Sequence, residues 1–193
     1  MPAPRSSRRL STRVLLTCAA LAVVHVLLHL STLPLLTALA AVAPPAYALV
    51  AGVHSLMPFL ARRITGTPGA AIVTSGIAAL LVSATSSSGL IAAIPVLLAG
   101  CLIDLMLWRT GPSGAAEVRY LAAGAVTAVV LFAVSLAVFS PAHRTPVIII
   151  GTLLGRLVGE AIAVVLSRLL AGALVRAGVS VGRRAGDHNR PAS

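Results

Sequence analysis

The stretch "GTLLGRLVGEAIAVVLSRLL", residues 151–170, is apolar over the length of a membrane crossing, yet it carries an arginine and a glutamate. Gly151, Gly155 and Gly159 are spaced four apart, and Ala163, Ser167 and Ala171 continue the series. On a helix such a series forms one stripe of small side chains, which lets a neighbouring helix approach closely in lipid. Arg156 and Glu160 each follow a stripe residue by one position, roughly 100° further round the helix. They are also four apart, so they meet on one face. The pattern predicts a membrane helix packed along its glycines, with the charged pair turned into a bundle rather than toward lipid. Two roles are open for the pair: an ion pair that fixes packing, or a polar wall that meets a ligand.

The rest of the chain agrees with a lipid setting. Hydrophobic residues make up 58% of the 193, charged residues 10%, and the mean hydropathy is +1.01. Soluble domains are nearer half apolar and a quarter charged. At roughly 20 apolar residues per crossing, the length fits an all-α integral membrane protein of six transmembrane helices. The net charge is +11 and all 15 basic residues are arginine. They gather at the chain ends and in loops, which points to membrane orientation and away from nucleic acid. Cys18 and Cys101 lie in apolar runs without metal-ligand spacing, so neither a disulfide framework nor a zinc site is expected.

Read along the chain, residues 1–12 form a basic cytoplasmic leader, 13–175 a six-helix membrane domain, and 176–193 a basic, disordered cytoplasmic tail. The first apolar run, 13–30, starts as a secretory signal would, but it is long enough to span and is read as a retained helix. Pro44 and Pro45 argue against continuous helix, since each lacks an amide proton and restricts its neighbour. Residues 33–43 are accordingly expected to be a connecting or partly re-entrant segment, able to act as a lid. The further spans are expected at about 46–61, from Pro68 to 84, at 90–108, 120–139 and 147–170. With both termini in the cytoplasm, Arg5, Arg8, Arg9, Arg13, Arg62, Arg63, Arg109, Arg119, Arg176, Arg183, Arg184 and Arg190 fall inside. The opposite face receives only Arg144.

The ionisable groups within the spans include His25, His29, His54, Asp104, Arg156 and Glu160. Ionisable side chains at membrane depth are costly and mark candidate functional positions. Each has a structural alternative: a histidine bonded to a carbonyl, or an Asp104 paired with an inner-face arginine. Enzyme signatures are missing. There is no H-E-x-x-H and no P-loop, and the chain holds four carboxylates in all. No enzyme activity, no cofactor and no metal are expected.

Several stretches resemble a known family. "AGVHSLMPFLARRITGTPGAAIVTSGIAALLVS" (51–83) has a proline near the end of span two, a basic turn, and Pro68-Gly69-Ala70-Ala71 opening span three. "GLIAAIPVLLAGCLIDLMLWR" (89–109) places a Gly-containing stretch before Asp104, and "VVLSRLLAGALVRAGV" (164–179) closes the likeness. Together these resemble the YkoE-like substrate-binding S components of energy-coupling factor (ECF) vitamin transporters, over about half the chain. The resemblance implies a plasma-membrane subunit that captures a vitamin or precursor, with thiamine or its pyrimidine moiety the associated substrate. It also implies partners: a transmembrane coupling subunit and cytoplasmic ATPases. Docking on the coupling subunit would use a small-x-x-x-small pattern in helix one, for which Cys18-x-x-x-Ala22 is the nearest match. The candidate substrate-binding residues are Glu160, Arg156, His54, Tyr47 and Asp104, with Phe59 and Trp108 the other plausible aromatics; Gly151, Gly155 and Gly159 are assigned to helix packing. Two other classes stay open: a structural or oligomerising membrane protein using the glycine stripe, and a small proton-coupled permease using Glu160.

Overall fold

The computed structural model describes residues 10–86, 89–108, 116–136 and 145–179. Those residues form α-helices joined by short connections, with no strand among them. In chain order they are α1 (Thr12–Val42), α2 (Pro44–Val53), α3 (Leu56–Thr65), α4 (Ala70–Thr85), α5 (Leu90–Leu107), α6 (Ala116–Leu136) and α7 (Pro146–Arg176). Four of them are long and apolar enough to cross a membrane: α1, α5, α6 from Glu117, and α7. Helix α4 is shorter and also apolar. The leader up to residue 9, the loops holding Arg109 and Arg144, and the tail beyond 179 lie outside the described residues.

The structure corrects two boundaries. Residues 33–42 are not a connecting or re-entrant segment; they continue α1, whose 31 residues run about 46 Å. Pro34 sits inside this helix. Its missing N–H deprives one carbonyl, that of Leu30, and the neighbouring Ser31, Thr32 and Thr37 hydroxyls bond back to the helix around it. The break comes one residue before the proline pair, at Ala43. Pro44 and Pro45 then open α2, where a proline has no helical N–H to lose.

The second correction concerns the span expected at 46–61, which is two helices. His54 and Ser55 interrupt it, their amides bonding to Ala51 and Gly52 three residues back. Pro58 explains the position, because a continuous helix would need its N–H to reach the His54 carbonyl. Helix α3 ends at Gly66, which takes a left-handed φ of 60° that suits only glycine well. Helix α6 starts earlier than expected, so Glu117 and Arg119 belong to its first turn rather than to a loop.

The glycine stripe of α7 packs on α2. A Cβ on Gly155 would run into the Pro45 carbonyl oxygen, and one on Gly159 into the Leu49 carbonyl oxygen. From the other side, a Cβ on Gly52 would stand 2.8 Å from the Gly159 Cα and the Glu160 amide nitrogen. The two backbones therefore touch, and no larger side chain fits between them. Where α4 meets α5, Gly100 does the same against Ser75 and Ala71.

The main core gathers Phe59, Leu60, Ala71, Ile103, Leu107, Ala123, Ala163 and Val164. It lies toward the end of the bundle where α3, α5 and α7 finish and α4 and α6 begin. Large apolar side chains such as Leu16, Leu27, Leu90, Ile91, Leu105 and Val147 are exposed around the outside, as a lipid-facing surface requires.

Candidate functional site

Nearer the other end, the interruption at 54–55 opens a cavity of about 100 Å³ between α1, α2, α5, α6 and α7. Its polar wall is formed by His25, His29, Tyr47, His54, Ser55 and Arg156. Its apolar wall comes from Leu36, Pro95, Val96, Ala99 and Leu131, among others. Helix periodicity explains the first of these groups. His25 and His29 are one turn apart on α1, and the same face continues to Thr32 and Leu36.

The three imidazoles meet edge to face. The His54 ring centroid is 5.9 Å from that of His25 and 5.6 Å from that of His29. Thr32 Oγ1 lies 3.0 Å from His54 Nε2 and 2.8 Å from the Leu28 carbonyl oxygen. The hydroxyl has one proton, so which of Thr32 Oγ1 and His54 Nε2 donates follows from the imidazole tautomer. His25 is 2% exposed, and neither ring nitrogen has a hydrogen-bond partner among the described residues.

Arg156 and Glu160 stand at the base of this wall. Glu160 is fully buried, and its Oε1 accepts a 2.8 Å hydrogen bond from the Ser55 hydroxyl. The same oxygen is 3.7 Å from Arg156 Nε, too far for a hydrogen bond but close enough for charge pairing. Among the described residues no hydrogen bond reaches the Arg156 guanidinium. Arg156 lines the cavity and Glu160 does not. The two charges thus have different surroundings: the carboxylate is held behind the wall by Ser55, and the guanidinium faces the cavity.

Tyr47 and His54 also line the cavity, together with Arg156. Asp104 is elsewhere. It lies fully buried near the opposite end, where its Oδ1 is 3.5 Å from Arg62 Nε and its Oδ2 accepts from the Ile72 amide at 2.8 Å. Phe59 is a core residue 6.1 Å from the Tyr120 ring, and Trp108 is exposed at the end of α5. Cys18 and Ala22 are fully buried against α4, Cys18 Sγ reaching the Ala70 carbonyl at 3.5 Å. That face of α1 is occupied within the chain, and the helix's outward surface is instead Leu16, Val23, Val24 and Leu27.

A second polar centre locks α3 in place. Arg63 donates to both Glu117 oxygens, at 3.0 and 2.8 Å, and to Ser167 Oγ at 2.8 Å. Its guanidinium also lies 3.8 Å from the centre of the Tyr120 ring. Arg62 donates to the Leu107 carbonyl at 2.8 Å. These two arginines fasten α3 to α5, α6 and α7, and they are structural in geometry, Arg63 through its hydrogen bonds and Arg62 through Leu107 and its charge pairing with Asp104. Sequence reasoning passed over Ser55, Thr32 and the Arg63–Glu117 pair. The available signals were the polar neighbour of His54 one turn before Pro58, and opposite charges flanking successive loops on one predicted side.

Among the described residues no group of three or more His, Cys, Asp or Glu is placed to hold a metal ion. No family model matches the chain, and no curated protein matches its sequence. The fold, however, is similar to that of a solved structure, the crystal structure of an S-component of an ECF transporter. The TM-score is 0.68 at 22% identity, covering 86% of this chain and 84% of that one.

Proposed function

We propose, from that shared fold, that the protein is the substrate-binding membrane subunit of an ECF-type importer for a vitamin-like organic molecule. In this reading α2 and α3 together make one crossing, so the chain crosses six times with both termini in the cytoplasm. The cavity then lies in the outer half of the plasma membrane, where an importer subunit first meets its substrate. The arginine-rich ends and the Arg62–Arg63 turn lie on the cytoplasmic side, as the distribution of positive charge favours. The observation that carries the reading is a polar cavity, walled by His25, His54 and Arg156, inside a fold that aligns over most of its length with an S component. The lack of a P-loop is consistent with energy supplied by separate ATPase subunits.

The candidate binding residues of this reading are Arg156, His54 and Tyr47, with Glu160 positioning Arg156 from behind. The resemblance in sequence brings thiamine, or its pyrimidine moiety, as a candidate substrate. Thiamine's fixed positive charge finds no carboxylate on the cavity wall, which counts against thiamine itself. The oligomerising alternative has less support, because the glycine stripe is occupied by α2 of the same chain.

Coexpression with a coupling subunit and a pair of cytoplasmic ATPases tests the proposal. The expected result is a stable complex after detergent extraction, and ATP-dependent retention of a small organic molecule in proteoliposomes. Absence of any such complex, or uptake that needs a proton gradient and no ATP, would overturn it.

A further inference from the structure

The chemistry of the cavity wall narrows the substrate, on the reading that this cavity is the substrate site. Arg156 presents a guanidinium with no hydrogen bond among the described residues, while its counter-charge Glu160 is turned away and engaged by Ser55. A planar guanidinium left in this state matches a carboxylate, which it can grip with two parallel hydrogen bonds. His25 adds a second independent observation. It is buried to 2% exposure, borders the cavity, and makes no well-formed hydrogen bond from either ring nitrogen, with only a weak approach to the His54 backbone. Buried polar groups are nearly always satisfied, and of the buried groups left without a partner among the described residues, His25 and Arg156 are the ones that line the cavity, where a ligand can complete them.

Three features define the rest of the molecule. No carboxylate of the described residues lines the cavity, so a cationic ligand would meet Arg156 directly, with Glu160 held behind the wall. The apolar part of the lining is formed by Leu36, Pro95, Val96 and Leu131, among others, and the polar part contributes aromatic rings from Tyr47, His25 and His54. The volume of about 100 Å³ is on the scale of one small ring; an enclosed cavity of roughly 150 Å³ accepts benzene. We infer that the substrate is a one-ring organic acid, its carboxylate on the Arg156 guanidinium and its ring among Tyr47, His25 and His54. A phosphate ester fits less well. Its second negative charge would have no second cation on this wall, whereas a single carboxylate is met by Arg156 and by the neutral donors of His25 and Tyr47.

Ring probes of matched shape test the inference on the intact protein in nanodiscs. Equilibrium dialysis would compare benzoate, benzamide, N-methylpyridinium and phenyl phosphate. Benzoate is expected to bind at least about tenfold more tightly than benzamide, the difference a charge-assisted bidentate contact supplies. N-methylpyridinium should be the weakest of the four, and phenyl phosphate weaker than benzoate. Arg156→Gln should bring benzoate and benzamide within about twofold of each other, and Arg156→Lys, which keeps the charge but not the fork, should fall between. Equal binding of benzoate and benzamide, preference for the cation, or no binding of benzoate to the native protein would overturn the inference. The first comparisons need no variant, so a misfolded Arg156 variant does not spoil them. Copurification with the coupling and ATPase subunits separates the two levels. A complex that assembles while benzoate fails removes the acid substrate and leaves the importer standing. Benzoate binding without assembly does the reverse.

Discussion

Glu160 is held by two unequal contacts, a short hydrogen bond from Ser55 and a looser pairing with Arg156. Removing one member of a buried ion pair strands the other, at a cost on the order of 3 kcal/mol. Glu160→Gln keeps an oxygen for Ser55 but leaves the Arg156 charge alone. It is therefore expected to lower the midpoint of thermal unfolding in detergent by several degrees. The double variant Glu160→Gln/Arg156→Met removes both charges and should recover part of that loss, while abolishing the preference of the cavity for an acid. If the double variant is as unstable as the sum of the two single ones, the residues are not coupled and the pairing is incidental. Both partners were legible from their four-residue spacing. Ser55 was passed over, because its role depends on the break at 54–55, for which Pro58 one turn further on is the sequence signal.

The contact between α2 and α7 is made of backbone, so it tolerates no added volume. Gly155→Leu would place a branched side chain against the Pro45 carbonyl, and overpacking of this kind costs about 1–3 kcal/mol or more. For a domain of this size that is a fall of roughly 2–10 °C in the unfolding midpoint. Ligand binding should weaken with it, since α2 carries Tyr47 and Ala51 of the cavity wall. Loss of self-association with stability and binding unchanged would instead place the stripe at an oligomer interface. The stripe could be read from sequence because four-residue spacing of small residues has a single geometric meaning. Its partner could not, since Gly52 is a lone glycine and the pairing spans the chain. The proline reading had mixed success for a physical reason. A proline costs a helix a hydrogen bond only where its missing N–H falls in the interior, and even there the helix can carry it. Pro44 and Pro45 escape by opening a helix, Pro34 is carried within one, and Pro58 causes the break that shapes the site.

For the whole molecule, the proposed orientation is open to direct labelling. In a Cys101→Ala background, Ser11→Cys should react with an impermeant maleimide only after the membrane is opened, and Ser86→Cys should react in intact cells. The reverse pattern, or both residues on one side, would contradict the six-span topology. The arginine distribution was the strongest guide to this arrangement, and composition alone gave the membrane setting. What neither could give is which helices are neighbours, because that is decided by shape across the bundle. One consequence concerns how the protein is made. Ser55 and Glu160 are 105 residues apart in the chain, and the glycines that seat α2 belong to the last helix. During synthesis α2 therefore waits in the bilayer with its inner face bare until α7 emerges. The cavity is completed when α7 inserts, and a nascent chain stopped before α7 has the three cavity histidines but no floor beneath them.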